Sequence, residues 1–123
     1  MQQNTQVETR VKDDIGIIDI QGEVTSFSEK ILEESYETLT GEGLIKIGFN
    51  FEKVSYINSA GMAIIISILT RSRKREQTLR CWGLTEHFQK IFDMVGITRY
   101  MEHARSEEEA LGGYSRSRRH GAN

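Results

Sequence analysis

The chain has 123 residues, 37% of them apolar and 28% charged, which is the length and balance of one domain folding around one core. A single cysteine, Cys81, excludes an intramolecular disulfide framework and a multi-cysteine zinc site. The net charge is −2, yet Arg116, Arg118 and Arg119 fall in an acid-free C-terminal stretch, so the rest is distinctly acidic and ill-suited to direct nucleic-acid binding.

Proline is absent, so glycines and polar clusters mark the boundaries. Residues 1–6 read as an N-terminal tail without a basic or apolar signal segment. Val7, Thr9 and Val11 alternate with polar residues and predict a strand; Asp13-Asp14 is turn material, and Ile15 to Ile20 predict the second arm of a hairpin. Ser26 with Glu29 matches a capping box, and Phe27, Ile31, Leu32, Tyr36 and Leu39 fall on one helical face, closed by Gly41 and Gly43. Leu44 to Phe51 is nearly all apolar, as a central strand should be.

Residues 62–69 are rich in isoleucine, but the segment from Ala60 to Arg75 is too long for an ordinary strand. It follows Asn58-Ser59 and closes on Arg71, Arg73, Lys74 and Arg75, so a helix is predicted. Thr78 to Leu84 predict a strand. Thr85 opens a helix with Phe88, Ile91, Phe92 and Val95 inward, and Gly96 ends it. Ile97 to Met101 predict a last short strand, and Ser106 with Glu109 caps a final helical turn through Leu111. The pattern is α/β: a single domain at 7–111 with a mixed four- to five-stranded sheet, an N-terminal hairpin and then alternating strands and helices. Residues 112–123 have little to bury and read as a disordered basic C-terminal tail. No apolar run reaches membrane-span length, so a cytoplasmic protein without membrane insertion is expected.

The segment Phe51-Glu52-Lys53-Val54-Ser55-Tyr56-Ile57-Asn58-Ser59-Ala60-Gly61-Met62 carries the functional signal. A central strand runs into a loop, and a helix starts at Asn58-Ser59. Either residue type there is ordinary capping, while the small residues at 59–61 leave room for a partner to approach. This segment closely resembles the central motif of STAS domains, above all the bacterial anti-sigma-factor antagonists. Gly22-Glu23-Val24 and Phe88-Gln89-Lys90-Ile91-Phe92-Asp93-Met94-Val95-Gly96-Ile97 resemble two further family segments, in the same order.

The resemblance implies an anti-sigma-factor antagonist acting by partner switching. Such a protein binds a cognate anti-sigma factor that is also a serine kinase, is released when that kinase phosphorylates the motif serine, and is restored by a serine phosphatase. The phospho-acceptor maps onto Ser59, and the partner-binding surface onto Ser26, Ile57, Asn58, Ser59, Gly61 and Met62. Two positions depart from the common pattern: Asn58 stands where many members have aspartate, and so does Thr25. The alternatives are a STAS accessory subunit of a transporter or lipid-transport complex, and a scaffold subunit of a stress-sensing assembly. No cofactor, catalytic residue or metal ligand is expected. Cys81 lies mid-strand beside Trp82 as an inert thiol would, and His87, His103 and His120 lack close ligand spacing. Asp13-Asp14 and Glu107 to Glu109 are turn and helix-start acids, and no Gly-rich phosphate loop occurs.

Overall fold

The computed structural model describes residues 5–122, with side chains through Tyr114. Five strands lie in the order in which the chain makes them. The hairpin pairs β1 (Thr5–Lys12) with β2 (Ile15–Val24) in antiparallel register, and Asp13 in the turn adopts φ 58°. From β2 onward every crossover is a helix. Thus α1 (Glu29–Gly41) leads to β3 (Lys46–Ile57), α2 (Ser59–Lys74) to β4 (Thr78–Trp82), and α3 (Glu86–Met94) to β5 (Met101–Ala104). Strands β2 to β5 pair in parallel. This is the mixed sheet that the alternation predicts.

The two faces of the sheet are covered unequally. Ile18, Ile20, Ile47, Phe49, Phe51, Leu79 and Cys81 meet Leu32, Tyr36 and Leu39 of α1, Ile65 and Ile68 of α2, and Phe88 and Phe92 of α3 in the main core. The opposite face holds Ile15, Ile17, Trp82 and Ala104, covered by Ala110 and Tyr114 of α4 (Glu107–Ala122). Gly48 makes room there: a Cβ on it would come 2.7 Å from the Trp82 ring.

Several expectations change. α4 runs past Leu111, and Tyr114 is buried, its hydroxyl donating to the Ile47 carbonyl. Of the expected tail at 112–123, Gly112 to Tyr114 belong to the docked part of α4, because one large aromatic finds a slot over Gly48, and the helical backbone continues to Ala122. Thr5 and Gln6 belong to β1 rather than to a tail, while residues 1–4 and Asn123 lie outside the described residues. Ile97 to Arg99 form one 3-10 turn, and the last strand starts at Met101. Ile97 still serves the core, but from a turn, since Gly96 at φ 87° redirects the chain. The isoleucine-rich segment 62–69 is helical. Ile64, Ile65 and Ile68 face the core at helical spacing, and that burial outweighs their β-branched preference.

Candidate functional site

β3 outruns its neighbour. Its pairing with β4 ends at Asn50, whereas its pairing with β2 continues to Val24 and Ile57. The chain thus leaves the sheet beside the end of β2, and the Asn58 amide donates to the Val24 carbonyl at 3.1 Å. Asn58 is extended at φ −95°, ψ −176°, and its side-chain oxygen accepts from the Gly61 amide at 2.9 Å. The Met62 amide donates to the Asn58 carbonyl at 2.9 Å, the first helical bond. Asn58 is thus the N-cap of α2 and Ser59 its first residue, the geometry expected from an asparagine before a helical run.

Gly61 fixes how closely α2 meets the sheet. A Cβ on it would lie 2.2 Å from the Val24 carbonyl oxygen, so a larger residue would push the helix start off β2. Ser59 is exposed, Asn58 and Met62 are half-buried, and Ile57 and Gly61 are buried. Of the expected contact surface, Asn58, Ser59 and Met62 are thus reachable, and Ile57 and Gly61 lie beneath them. Ile57, paired with Val24, and Gly61, packed on the Val24 carbonyl, hold the loop from beneath.

Ser26 comes to the same end of the sheet by a different local structure from the one its sequence suggests. Thr25, not Ser26, makes the cap: its hydroxyl accepts from the Phe27 amide at 3.2 Å, and Ser28 Oγ accepts from the Thr25 amide at 2.9 Å. Ser28 is buried against the hydroxyl of Thr5, at 2.5 Å. These ties force one 3-10 turn over Ser26–Ser28 before α1 begins at Glu29. That turn rotates Phe27 out of the core face and leaves it 66% exposed. A pattern read at α-helical period cannot anticipate this. Ser26 and Glu29 face Ala60, Ala63, Ile64 and Ser67 of α2 across a groove of about 250 Å³. Tyr56, half-exposed, stands edge-on to Phe88, with ring centroids 6.3 Å apart. Phe27 and Tyr56 are candidate contact residues that sequence reasoning missed; large aromatics beside polar turns were their one signal.

The electrostatics at Ser59 favour an anion. The first amides of α2 point out of its N-terminus, no acid occupies the first turn, and Arg71, Arg73 and Lys74 crowd the far end. Other chemistry is poorly supplied. Burial pushes the Cys81 thiol up to about 12, which keeps it protonated and inert. Burial holds His103 below its ordinary value while its Nε2 accepts from the Leu84 amide at 3.3 Å. Among the described residues, no group of three or more His, Cys, Asp or Glu side chains is placed to hold a metal ion. A larger hollow of about 700 Å³ runs from β1 across β2 to Asn50, Glu52 and Lys53 of β3. Of its charged lining, Arg10 pairs with both Asp19 and Glu107, and Glu8, Glu52 and Lys53 border it as well.

Comparison with known proteins agrees with this geometry. A family model described as STAS domain matches residues 6–110. An anti-sigma-B factor antagonist of Staphylococcus epidermidis is 27% identical over 94 residues, covering 76% of this chain and 87% of that one. Among solved structures, a variant of RsbS from Moorella thermoacetica superposes with a TM-score of 0.80 at 15% identity, covering 93% of this chain and 98% of that one. The Bacillus cell fate determinant SpoIIAA in its phosphorylated form gives 0.66 at 22% identity, covering 89% and 98%. No helix among the described residues is long and apolar enough to cross a membrane.

Proposed function

The chain belongs to the STAS domain family, and from that premise we propose that it is a cytoplasmic anti-sigma-factor antagonist that works by partner switching rather than as an enzyme. Unmodified, it binds an anti-sigma factor that is also a serine kinase, through Ser26, Phe27, Asn58, Ser59 and Met62. Phosphorylation of Ser59 releases it, and a serine phosphatase restores it. The observation that carries this reading is the placement of Ser59: exposed, first in α2, beside a groove, on a helix start pinned by Asn58 and Gly61.

A phosphoryl group adds about −1.5 to −2 charges. At this helix N-terminus the free amides and the dipole accommodate it, so the fold is kept. The penalty falls on the complex, where an uncompensated buried charge costs roughly 3–5 kcal/mol, or about two to four powers of ten in affinity. The relatives' names support the antagonist role, and SpoIIAA is a structural neighbour solved with a phosphate attached.

The test is incubation with the cognate kinase and ATP, then mass spectrometry of the peptide holding Ser59. Calorimetric titration of both forms against the ADP-bound kinase follows. Ser59→Ala should abolish incorporation and leave the thermal midpoint in place. Equal affinity of the two forms would sink partner switching and favour the transporter-accessory reading.

A further inference from the structure

The two edges of the sheet differ in how they are closed. β5 is four residues long and is followed directly by α4, so it presents little open backbone. β1 is eight residues long and pairs with β2 at every position from Thr5 to Lys12 without a bulge. Among the described residues the sheet ends there. A long, regular, proline-free edge is a template for another strand unless charges guard it.

The guards on β1 are weak. Arg10 lies mid-strand, but its guanidinium is held on one face of the sheet by Asp19 at 2.7 Å and Glu107 at 2.6 Å. Its charge is already answered. Lys12 stands at the extreme end. On the other face Val7 packs partly into the core, and Val11 is 50% exposed. The hairpin closes on the pair Lys12–Ile15, so Lys12, Arg10, Glu8 and Gln6 turn their backbone groups toward β2. The alternation leaves the amides and carbonyls of Val7, Thr9 and Val11 directed outward.

We propose that β1 is a self-pairing edge that joins two copies of this chain into a two-fold dimer with one continuous sheet. Antiparallel pairing centred on Thr9 matches its pattern and uses the full strand, from Gln6 to Lys12. Thr9 then faces its symmetry mate, and Val7 faces Val11 on the helix-covered side. On the other side Glu8 faces Arg10, and Gln6 faces Lys12. No like charges oppose one another, the apolar pair meets itself, and the outward groups of Val7, Thr9 and Val11 form six backbone hydrogen bonds. Such an interface is isologous and closed, so it stops at two copies. It also follows that the two β3 strands run in opposite directions. The two Ser59 sites then lie at opposite ends of the dimer, both open to a partner.

The test is the mass in solution by light scattering or sedimentation. The expected result is a concentration-dependent species of twice 14.1 kDa. Thr9→Pro removes an outward N–H and should leave a folded monomer, since proline is tolerated on an edge. Glu8→Lys sets a lysine against Arg10 twice per dimer and should weaken association about tenfold or more, with unchanged circular dichroism. If Thr9→Pro disturbs the fold, Glu8→Lys decides. A short bifunctional thiol cross-linker should join Thr9→Cys chains but not Val11→Cys chains, whose thiols would lie roughly 14 Å apart across the pair. A single monomeric species up to the solubility limit overturns the proposal. So does a dimer indifferent to Glu8→Lys, or equal cross-linking at both positions.

Discussion

The helix-rich face of the sheet and the α4 face are built on different terms. The first draws on three helices and buries Leu, Ile and Phe side chains along their whole length. Loss of one contact is shared among many. The second rests on Trp82, Tyr114, Ile15, Ile17 and two alanines under a single helix, and it also takes in a charge. Arg80 is 3% exposed, its guanidinium bonded to Glu102 at 2.6 Å and lying under Tyr114. Arg80 Nε and Trp82 Nε1 are buried with no hydrogen-bond partner among the described residues. Buried donors without partners cost stability, so α4 docks at a smaller net gain than the other helices. Ser59, Ser26 and their groove belong to the helix-rich side. The proposed switch surface is thus carried by the sturdier half of the molecule.

The largest test of that contrast is a matched pair of truncations. Trp82→Ala and Phe92→Ala each remove a fully buried aromatic and should each cost about 3–5 kcal/mol in denaturant unfolding. Their hydrogen-exchange signatures should differ. Trp82→Ala should release α4 amides selectively, whereas Phe92→Ala should lower protection across the sheet. Equal loss everywhere in both variants would mean that the two faces unfold as one unit.

Next in size is one substitution at two adjacent glycines. A Cβ on Gly113 would sit 2.3 Å from the buried Arg80 guanidinium carbon, while a Cβ on Gly112 meets nothing within 4 Å. Gly113→Ala should destabilise by about 1–3 kcal/mol through overpacking. Gly112→Ala should stabilise by about 0.5–1 kcal/mol through helix propensity. Effects of the same sign in thermal unfolding would show that α4 shifts freely on the sheet.

On the other side, Asn58→Ala should cost about 1 kcal/mol by leaving the Gly61 amide without its cap. Asn58→Asp should hold or slightly raise stability while changing kinase affinity more. Equal losses in both properties would show that Asn58 is misplaced relative to the helix start.

The smallest effect is set by pH. Partial burial raises the Asp19 carboxyl, but Arg10 and Asn50 outweigh it and hold the group below its ordinary value. The Arg10 hydrogen bond holds Glu107 down against burial. Carboxylates depressed in the folded state contribute stability above their unfolded values and lose it as pH falls through the folded ones. The Arg10 link between sheet and α4 should therefore be complete near neutrality and weaken below about pH 4. Because these side chains are partly exposed, the loss should be modest. α4 protection should fall before that of α2; the reverse order would contradict the assignment.

Much of the candidate site around Ser59 was legible in the residues. Asn58 before a long segment with a basic end marks a helix start, because a cap is satisfied within a few residues of itself. Chain order also fixed the sheet, since alternating strands and helices leave few right-handed ways to connect. The Thr25–Ser28 cap was less legible. Several residues near position 26 could cap, and the choice fell to Thr25 with Ser28 as its capping-box partner, because Thr5, far away in sequence, bonds Ser28 in the folded chain.

What tertiary structure alone decided is which side chains find a surface. The stretch after Leu111 holds one aromatic, and no periodicity says that Tyr114 fits over Gly48 beside Trp82. Nor does it say that Arg80 is covered in the process, or that Phe27 is turned outward. The sequence determined the strands, helices and site loop, because those depend on neighbours three or four residues away. Docking depends on shape met across the sheet, and that shape exists only once β3, β4 and α4 are already together.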